Sequence, residues 1–357
     1  MPKPLSQLIP DLENDYGEPS PSRVQLPRPL GAAVQLHVGN AGHGGADLDH
    51  PVRYKPDSGL VAAFRTALLL RRPLLLTGEP GTGKTQAANY LSWKLGYGTK
   101  ALRFDAKSTS YATDLFYRFN TIGRFHAAQS GGSTNNVNYL HYNALGEAIL
   151  RARNALDVIP ETSPALMVND ILPKDFHHDG NPVQSVVLID EIDKAPRDFP
   201  NDLLAEIENM RFRIQELDNI EVQAPTDFKP VTIITSNSEK NLPAAFLRRC
   251  VYYHIPKPDR AVFADIVKAR LGWDPTTKLA SDALDFLIYT RDKVRELQKK
   301  PATAELLDWL LILEAHGARP DQRFRDIQDT VAETLGALIK EGESDPKKIL
   351  TAWPGLK

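Results

Sequence analysis

The spacing of apolar residues changes near residue 257, and the two parts of the chain predict different kinds of structure. Before that point, short apolar runs such as PLLLTG alternate with segments that suit helices, which predicts a parallel sheet covered on both faces. After it, segments such as SDALDFLIYTRDKVRELQKK carry apolar residues three or four positions apart, as amphipathic helices do. We therefore predict an α/β core at residues 51–256 followed by an α-helical domain at residues 257–357.

The first 50 residues differ in composition from the rest of the chain. Prolines recur between Pro2 and Pro29, and the glycine-rich stretch HVGNAGHGGADLDH follows them. Such a composition breaks helices and supplies few residues for a core. We expect an extended or partly disordered arm at residues 1–50.

Composition indicates an ordinary globular protein. The 43 Lys and Arg residues nearly balance 45 Asp and Glu residues, so the net charge of -2 favours neither nucleic acid nor an anionic lipid surface as a partner. No run reaches the roughly 18 uncharged apolar residues of a membrane span, and the N-terminal sequence lacks the apolar stretch of a secretory signal. The lone Cys250 excludes a disulfide within the chain. We expect a cytoplasmic protein without a membrane span.

The stretch GEPGTGKT at residues 78–85 follows an apolar strand and opens a helix, which is the context of a phosphate-binding P-loop. Its glycines let backbone N–H groups surround a phosphate at the start of the helix. In that role Lys84 reaches the β- and γ-phosphates, and the Thr85 hydroxyl binds Mg²⁺. The predicted nucleotide-contacting residues are Gly78, Glu79, Pro80, Gly81, Thr82, Gly83, Lys84, Thr85, Gln86 and, further along the chain, Asp190.

Polar side chains also follow two later apolar runs. SVVLIDEIDKA places Asp190 and Glu191 at the end of a strand, and VTIITSN ends in Asn237. Beside a P-loop, Asp190 would hold Mg²⁺, Glu191 would polarise the attacking water and Asn237 would orient that water. Taken alone, the two carboxylates suit a solvated loop, and Asn237 suits a turn. We assign no chemistry to Asp193 and Lys194, which follow in the same stretch.

Two adjacent arginines, Arg248 and Arg249, precede Cys250 in the stretch FLRRC. On their own they suit a solvated surface. In their order along the chain, however, GEPGTGKT, VVLIDEID, TIITSN and FLRRC resemble the Walker A, Walker B, sensor 1 and arginine-finger motifs of AAA+ ATPases. The resemblance covers about residues 52–315, and the sequence around the later motifs is similar to the MoxR-type branch of that family.

This resemblance implies a RecA-like P-loop sheet with a helical lid, ATP and Mg²⁺ as ligands, and a homo-oligomeric, usually hexameric, ring. It implies that Arg249 acts on the nucleotide of a neighbouring subunit, with Arg248 as a second such contact or an interface ion pair. It also implies two insertions that face the pore of the ring, a helix-2 insert at about residues 108–130 and a hairpin at about residues 211–228. Aromatic residues of the first insert are candidate partner contacts or core residues: Tyr111, Phe116, Tyr117, Phe119 and Phe125.

One motif of the family has no clear counterpart. A sensor-2 arginine is expected near the start of a lid helix, but the matching stretch KKPATAELLDW has Glu305 at about that position. Lys300, Arg319 or Arg323 could substitute for it. The identity of the sensor-2 residue is therefore left open.

The resemblance implies an Mg²⁺-dependent ATPase with a chaperone-like role in remodelling or maturing a protein partner, such as a von Willebrand factor A domain protein. Two other functions stay open. One is nucleic-acid remodelling of the clamp-loader or helicase kind, which the near-neutral composition does not favour. The other is a nucleotide-gated regulatory module, such as a component of a bacterial defence system. The presence of Glu191 favours ATP turnover over such a regulatory role.

Overall fold

The computed structural model of the protein describes residues 50–237, 242–295, 297, 299–340 and 345–356. The predicted N-terminal arm lies outside these residues, apart from His50. The described residues form two compact units. The first unit contains Pro56–Gly78 and Lys84–Ile255, and the second contains residues 50–55, Glu79–Gly83 and the C-terminal part from Pro256.

Helices and strands alternate in the first unit. Its helices are α1 (Ser58–Leu70), α2 (Lys84–Lys94), α3 (Thr121–Ser130), α4 (Ala144–Arg151), α5 (Phe199–Asp202), α6 (Leu204–Asn209) and α7 (Ala244–Leu247). Its strands are β1 (Leu74–Thr77), β2 (Leu102–Asp105), β3 (Tyr117–Phe119), β4 (Leu140–Tyr142), β5 (Val186–Asp190), β6 (Arg211–Ile214), β7 (Ile220–Gln223), β8 (Val231–Ser236) and β9 (Val251–His254).

The central sheet has the strand order β2-β5-β8-β1-β9, and every neighbouring pair in it is parallel. All residues of β1, β5 and β8 are buried, so both faces of the sheet are covered at its centre. The predicted parallel sheet is confirmed. Because parallel strands end at the same edge, Thr77, Asp190 and Ser236 lie at the carboxyl edge of the sheet.

The segment between β2 and α4 contains an antiparallel hairpin of β3 and β4. Phe116 and Tyr117 are buried in it, and the Phe116 ring stacks on Phe212 with centroids 5.3 Å apart. The interpretation of these two rings as partner contacts is wrong, because they belong to the core of the first unit. The other aromatic residues of the predicted insert are partly buried (Phe119) or exposed (Tyr111 and Phe125).

Helix α4 holds this hairpin in place. The backbone N–H of Asn143 donates a hydrogen bond to the carbonyl oxygen of Phe116 at 2.9 Å. Gly146 passes so close that a Cβ atom at its position would lie 2.0 Å from the same oxygen. A glycine is therefore required at this crossing. A second antiparallel hairpin, of β6 and β7, precedes β8.

The C-terminal part is helical, as the apolar spacing predicts. Its helices are α8 (Arg260–Leu271), α9 (Lys278–Asp292), α10 (Thr303–Ala315), α11 (Gln328–Thr334) and α12 (Pro346–Ala352). Four large aromatic side chains lie at the centre of its core, with neighbouring ring centroids within 6.2 Å: Phe286, Trp309, Phe324 and Trp353. Edge-to-face packing of this kind stabilises a core by more than the burial of apolar area alone.

Candidate nucleotide-binding site

Lys84 begins α2 directly after the glycine-rich loop, and its side chain is buried. Its Nζ donates a hydrogen bond to the carbonyl oxygen of Gly78 at 2.8 Å. Burial lowers the pKa of Lys84, and the negative charges of Asp190, Asp193 and Glu191 act in the opposite direction. An ammonium group attracts phosphate oxygens. At the start of a helix, backbone N–H groups without an intrahelical acceptor donate to the same oxygens. This arrangement suits the binding of a polyphosphate.

The tip of the P-loop, Glu79–Gly83, is part of the second unit. Gly81 has a φ of 77°, and a Cβ atom there would lie 2.4 Å from the Cβ of Ala302. The Thr82 hydroxyl donates to the carbonyl oxygen of Glu79 at 2.9 Å and tightens the turn. Both the positive φ and the lack of space require glycine at position 81. The remaining predicted contacts are exposed (Pro80) or half-buried (Gly83 and Gln86).

Asp190 ends β5 with its side chain buried. Its Oδ2 accepts a hydrogen bond from the Thr85 hydroxyl at 3.0 Å, and its Oδ1 accepts one from the Thr235 hydroxyl at 2.5 Å. Arg103 on β2 forms an ion pair with Oδ2 at 2.9 Å. The structure thus brings together the two predicted metal ligands, Thr85 and Asp190. It adds Arg103, which sequence reasoning missed because a neighbouring strand supplies it.

Thr85 and Asp190 offer a hydroxyl and a carboxylate oxygen, the ligand type that Mg²⁺ prefers. Among the described residues, no group of three or more His, Cys, Asp or Glu side chains could hold a metal ion by itself. Mg²⁺ in phosphate-transferring proteins needs no such group, because waters and substrate phosphates supply most of its ligands. The two residues therefore fit an Mg²⁺ ion that is held together with a nucleotide.

Glu191 has a left-handed backbone, with φ 56° and ψ 50°, which is uncommon for a residue other than glycine. Its backbone N–H donates to the Thr235 hydroxyl at 2.8 Å. Its Oε1 accepts a hydrogen bond from Nδ2 of Asn237 at 3.0 Å, so the structure brings these two predicted residues together. Strained conformations cluster at functional sites, where surrounding contacts hold a side chain in one direction.

The two residues to which the sequence assigned no chemistry also lie here. Asp193 is buried, and its Oδ1 accepts a hydrogen bond from the backbone N–H of Asn237 at 3.3 Å, which is a structural role. Lys194 places its Nζ 2.5 Å from Oε2 of Glu191. The spacing of three residues between Glu191 and Lys194 is the sequence signal that could have predicted this ion pair.

Arg248 and Arg249 lie at the exposed end of α7. The Nε of Arg249 is 3.4 Å from Oε2 of Glu208, and both side chains are about half exposed or more. Within the described residues, no ion pair joins either arginine to Asp190 or Glu191. Both arginines are thus exposed, and Arg249 pairs with Glu208.

The proposed substitutes for sensor 2 all make contacts within the second unit. Arg323 forms an ion pair with the buried Asp282 at 2.6 Å, and Arg319 is exposed beside Asp321. Lys300 donates a hydrogen bond to a backbone carbonyl of the same segment. These contacts give none of the three a distinct role toward a ligand.

A different arginine of the second unit contacts the P-loop tip. Arg291 is buried, and its Nη2 donates to Oε2 of Glu79 at 2.8 Å. Its Nη1 donates to the carbonyl oxygen of Pro301 at 2.7 Å. Arg291 and Glu79 are separated by 212 residues, so no local pattern could have predicted their pairing.

Three comparisons with known proteins found similarities to this chain. The family described as "AAA domain (dynein-related subfamily)" matches residues 73–250. Protein CbbQ of Allochromatium vinosum is 43% identical over 49 residues, which are 14% of this chain and 66% of that protein. The chain therefore spans just under two thirds of the length of this curated relative. The solved S. cerevisiae Hsp104-ADP complex is 18% identical with a TM-score of 0.39, over 66% of this chain and 41% of that chain.

The family match and the parallel sheet together show an α/β P-loop fold of the AAA type, followed by a helical C-terminal region. The matched segment includes Lys84, Asp190, Glu191 and Asn237. Within the residues that the structure describes, no helix is both long and apolar enough to cross a membrane.

Proposed function

We propose that this chain is an Mg²⁺-dependent ATPase of the AAA+ class. The observation that carries the proposal is the cluster at the carboxyl edge of the sheet, where Asn237 donates to Glu191 and Thr85 donates to Asp190. A carboxylate that can activate water, an amide that can orient it and oxygen ligands for a metal are the parts that phosphoryl transfer to water requires. The family match supports ATP as the substrate.

Each residue has one role in the proposed hydrolysis. Lys84 and the backbone N–H groups of the P-loop hold the phosphates, and Thr85 and Asp190 hold Mg²⁺. The metal supplies neutralising charge for the β- and γ-phosphates. Glu191 accepts a proton from the attacking water, which Asn237 orients. The water oxygen bonds to the γ-phosphorus while the bond to the bridging oxygen breaks, and ADP and phosphate leave.

We further propose that a homo-oligomeric ring, hexameric as is usual in the family, completes the site. Arg249 is exposed and pairs only with the exposed Glu208 among the described carboxylates, so its guanidinium is available to the nucleotide of a neighbouring subunit. An arginine supplied in trans accelerates phosphoryl transfer by ~10³ to 10⁵. Turnover would then depend on assembly. Arg248 would make a second contact across the same interface.

The proposed biological role is chaperone-like remodelling or maturation of a protein client in the cytoplasm. The similarity to Protein CbbQ supports a MoxR-type assignment. Tyr111 and Phe125 are exposed on the predicted helix-2 insert and offer apolar rings to a client. The family resemblance points to a von Willebrand factor A domain protein as that client. Stimulation of turnover by DNA would favour the nucleic-acid alternative instead.

A Glu191→Gln variant tests this proposal. The amide cannot accept the proton of water but has nearly the same size, so the variant is expected to bind ATP, form stable rings and retain its client in a pull-down. Glu333→Gln, at an exposed position of α11, is the matched control and should release both ATP and client as the wild type does. Failure of Glu191→Gln to retain ATP any longer than Glu333→Gln would overturn the role of Glu191.

A further inference from the structure

Side chains of three different elements contact the carboxylate of Asp190. Its Oδ2 accepts a hydrogen bond from the Thr85 hydroxyl of α2 at 3.0 Å and lies 2.9 Å from Nη2 of Arg103 on β2. Its Oδ1 accepts a hydrogen bond from the hydroxyl of Thr235 on β8. Because Thr85 and Arg103 both contact Oδ2, an Mg²⁺ ion held by Thr85 and Asp190 together would meet the guanidinium at the same oxygen.

Arg103 also binds a second carboxylate, that of Asp105. The Nε of Arg103 donates to Oδ1 of Asp105 at 2.7 Å, and Nη2 is 2.7 Å from the same oxygen. Asp105 and Asp190 are direct partners in the parallel register of β2 and β5. The side chain of Asp105 is 57% exposed, whereas that of Asp190 is 6% exposed. The guanidinium thus bridges an exposed and a buried carboxylate.

The two carboxylates differ in how much a nearby cation stabilises them. A buried carboxylate without a cation carries a large desolvation cost, so Asp190 is stabilised by a positive charge beside it. At the exposed Asp105 water replaces the cation at little cost. The Arg103 side chain is itself 51% exposed, and its Nε would keep the bond to Asp105 if Nη2 left Asp190. Another cation can therefore replace the guanidinium at Asp190 at low cost.

The backbone of Asp190 is held in place without help from Arg103. A parallel ladder joins β2 to β5, and the backbone N–H of Ala106 donates to the carbonyl oxygen of Asp190 at 3.0 Å. The ion pair is therefore not needed to bring Asp190 to the carboxyl edge of the sheet. Its main effect is on the charge of the Asp190 carboxylate.

We propose that Arg103 competes with Mg²⁺ for Asp190 and thereby raises the Mg²⁺ concentration that the nucleotide site requires. Two cations at one carboxylate oxygen repel each other, so the guanidinium leaves Oδ2 when the ion binds. Arg103 then keeps Asp105 as its partner, and it returns to neutralise Asp190 when the ion leaves. Arg103 is a positioning residue, because it acts through a metal ligand. This competition rests on the proposed function, in which Thr85 and Asp190 hold Mg²⁺.

Binding of radiolabelled ADP to the full chain, measured by equilibrium dialysis as Mg²⁺ replaces EDTA, tests this proposal. ADP is not hydrolysed, so the result does not depend on turnover. The quantity compared is the free Mg²⁺ concentration that gives half of the Mg²⁺-dependent gain in ADP affinity. Arg103→Gln should lower this concentration about tenfold, because it removes a charge-assisted hydrogen bond that Mg²⁺ must otherwise displace.

Arg118→Gln is the matched control for the loss of charge. Arg118 is also an exposed arginine that pairs with an aspartate, Asp114, but it lies on the separate β3–β4 hairpin. The Arg118→Gln variant should require the same Mg²⁺ concentration as the wild type.

Asp105→Asn should change the Mg²⁺ requirement in the opposite direction. An asparagine has no charge to hold the displaced guanidinium, so the required concentration should rise about threefold. In the double variant with Arg103→Gln the effect of Asp105→Asn should be smaller, because no guanidinium is left to hold. Circular dichroism checks that each variant is folded. Asp105 is exposed, so Asp105→Asn tests the proposal even if Arg103→Gln does not fold.

Three results would overturn this role of Arg103. The first is an equal Mg²⁺ requirement in Arg103→Gln, Arg118→Gln and the wild type. The second is a higher requirement in Arg103→Gln, which would show that the guanidinium helps Asp190 to hold the metal. The third is an equal effect of Asp105→Asn with and without Arg103. If Mg²⁺ does not change the affinity of the wild type for ADP, the proposed function itself fails, and the competition with it.

Discussion

The Nζ of Lys194 lies 2.5 Å from Oε2 of Glu191, while Nδ2 of Asn237 donates to Oε1 of the same carboxylate at 3.0 Å. Both oxygens of the proposed base thus have a donor from their own chain. Asn237 is held in turn by Asp193. The carboxylate is therefore oriented before any water binds, but Lys194 competes with water for one of its oxygens.

Lys194→Met is expected to raise ATP turnover about fivefold, because it removes a competing hydrogen bond of about 1 kcal/mol from Glu191. Stability should change little, since both side chains of the pair are well exposed. Steady-state phosphate release measures the effect, and Lys194→Arg is the control that retains the cation. A fall in turnover as large as that of Glu191→Gln would show instead that Lys194 is needed to position the base.

Mixing two inactive variants tests the proposed trans role of Arg249. Arg249→Ala subunits should bind ATP but turn it over at least 10³-fold more slowly, roughly the lower limit for an arginine finger. Adding Lys84→Ala subunits should restore part of the activity, because their intact Arg249 can act on a neighbour's nucleotide. If mixed rings form, as native mass spectrometry would show, and remain inactive, Arg249 does not act in trans.

Gly146→Ala is expected to destabilise the first unit. The new methyl group would lie 2.0 Å from the carbonyl oxygen of Phe116, so α4 and the β3–β4 hairpin must move apart. Overpacking of this kind costs about 1–3 kcal/mol, which lowers the Tm by roughly 2–4 °C for each kcal/mol. Thermal unfolding followed by circular dichroism measures the change. Gly336→Ala, with open space around its Cβ position, should leave the Tm unchanged.

Cys250 is expected to resist thiol reagents in the native protein. Burial raises the pKa of its thiol to about 12, so the reactive thiolate is scarce below that pH and appears only as the pH approaches it. At pH 8 a disulfide reagent should label Cys250 far more slowly in the folded chain than in guanidinium chloride. Rapid stoichiometric labelling of the folded protein would contradict the shielding of this half-buried thiol.

Much of the fold follows from local patterns. The buried runs of β1 and β5 are apolar up to their last residue, and β8 is rich in β-branched residues. Such runs in alternation with helices identify a parallel sheet. Once the sheet is known, geometry requires that the residues after these strands meet at one edge. Asp190 and Asn237 could be associated for this reason, although 46 residues separate Asn237 from its partner Glu191.

The contacts that sequence reasoning missed depend on packing. Arg103 reaches Asp190 from the adjacent strand, and Arg291 reaches Glu79 across 212 residues of chain. No spacing rule joins such positions. Phe116 and Tyr117 show the same limit of sequence reasoning. The local sequence of an aromatic pair is the same whether the rings face a partner or, as here, pack against Phe212.

The rate of ATP hydrolysis by the wild type and by Glu191→Gln, with Mg²⁺ and with EDTA, tests the central claim most directly. We predict that the wild type hydrolyses ATP only with Mg²⁺. The rate should fall about 10² to 10⁴-fold in Glu191→Gln and should stay at the wild-type value in Glu333→Gln. Equal rates of Mg²⁺-dependent hydrolysis in the wild type and Glu191→Gln, or no hydrolysis by wild-type rings, would contradict it.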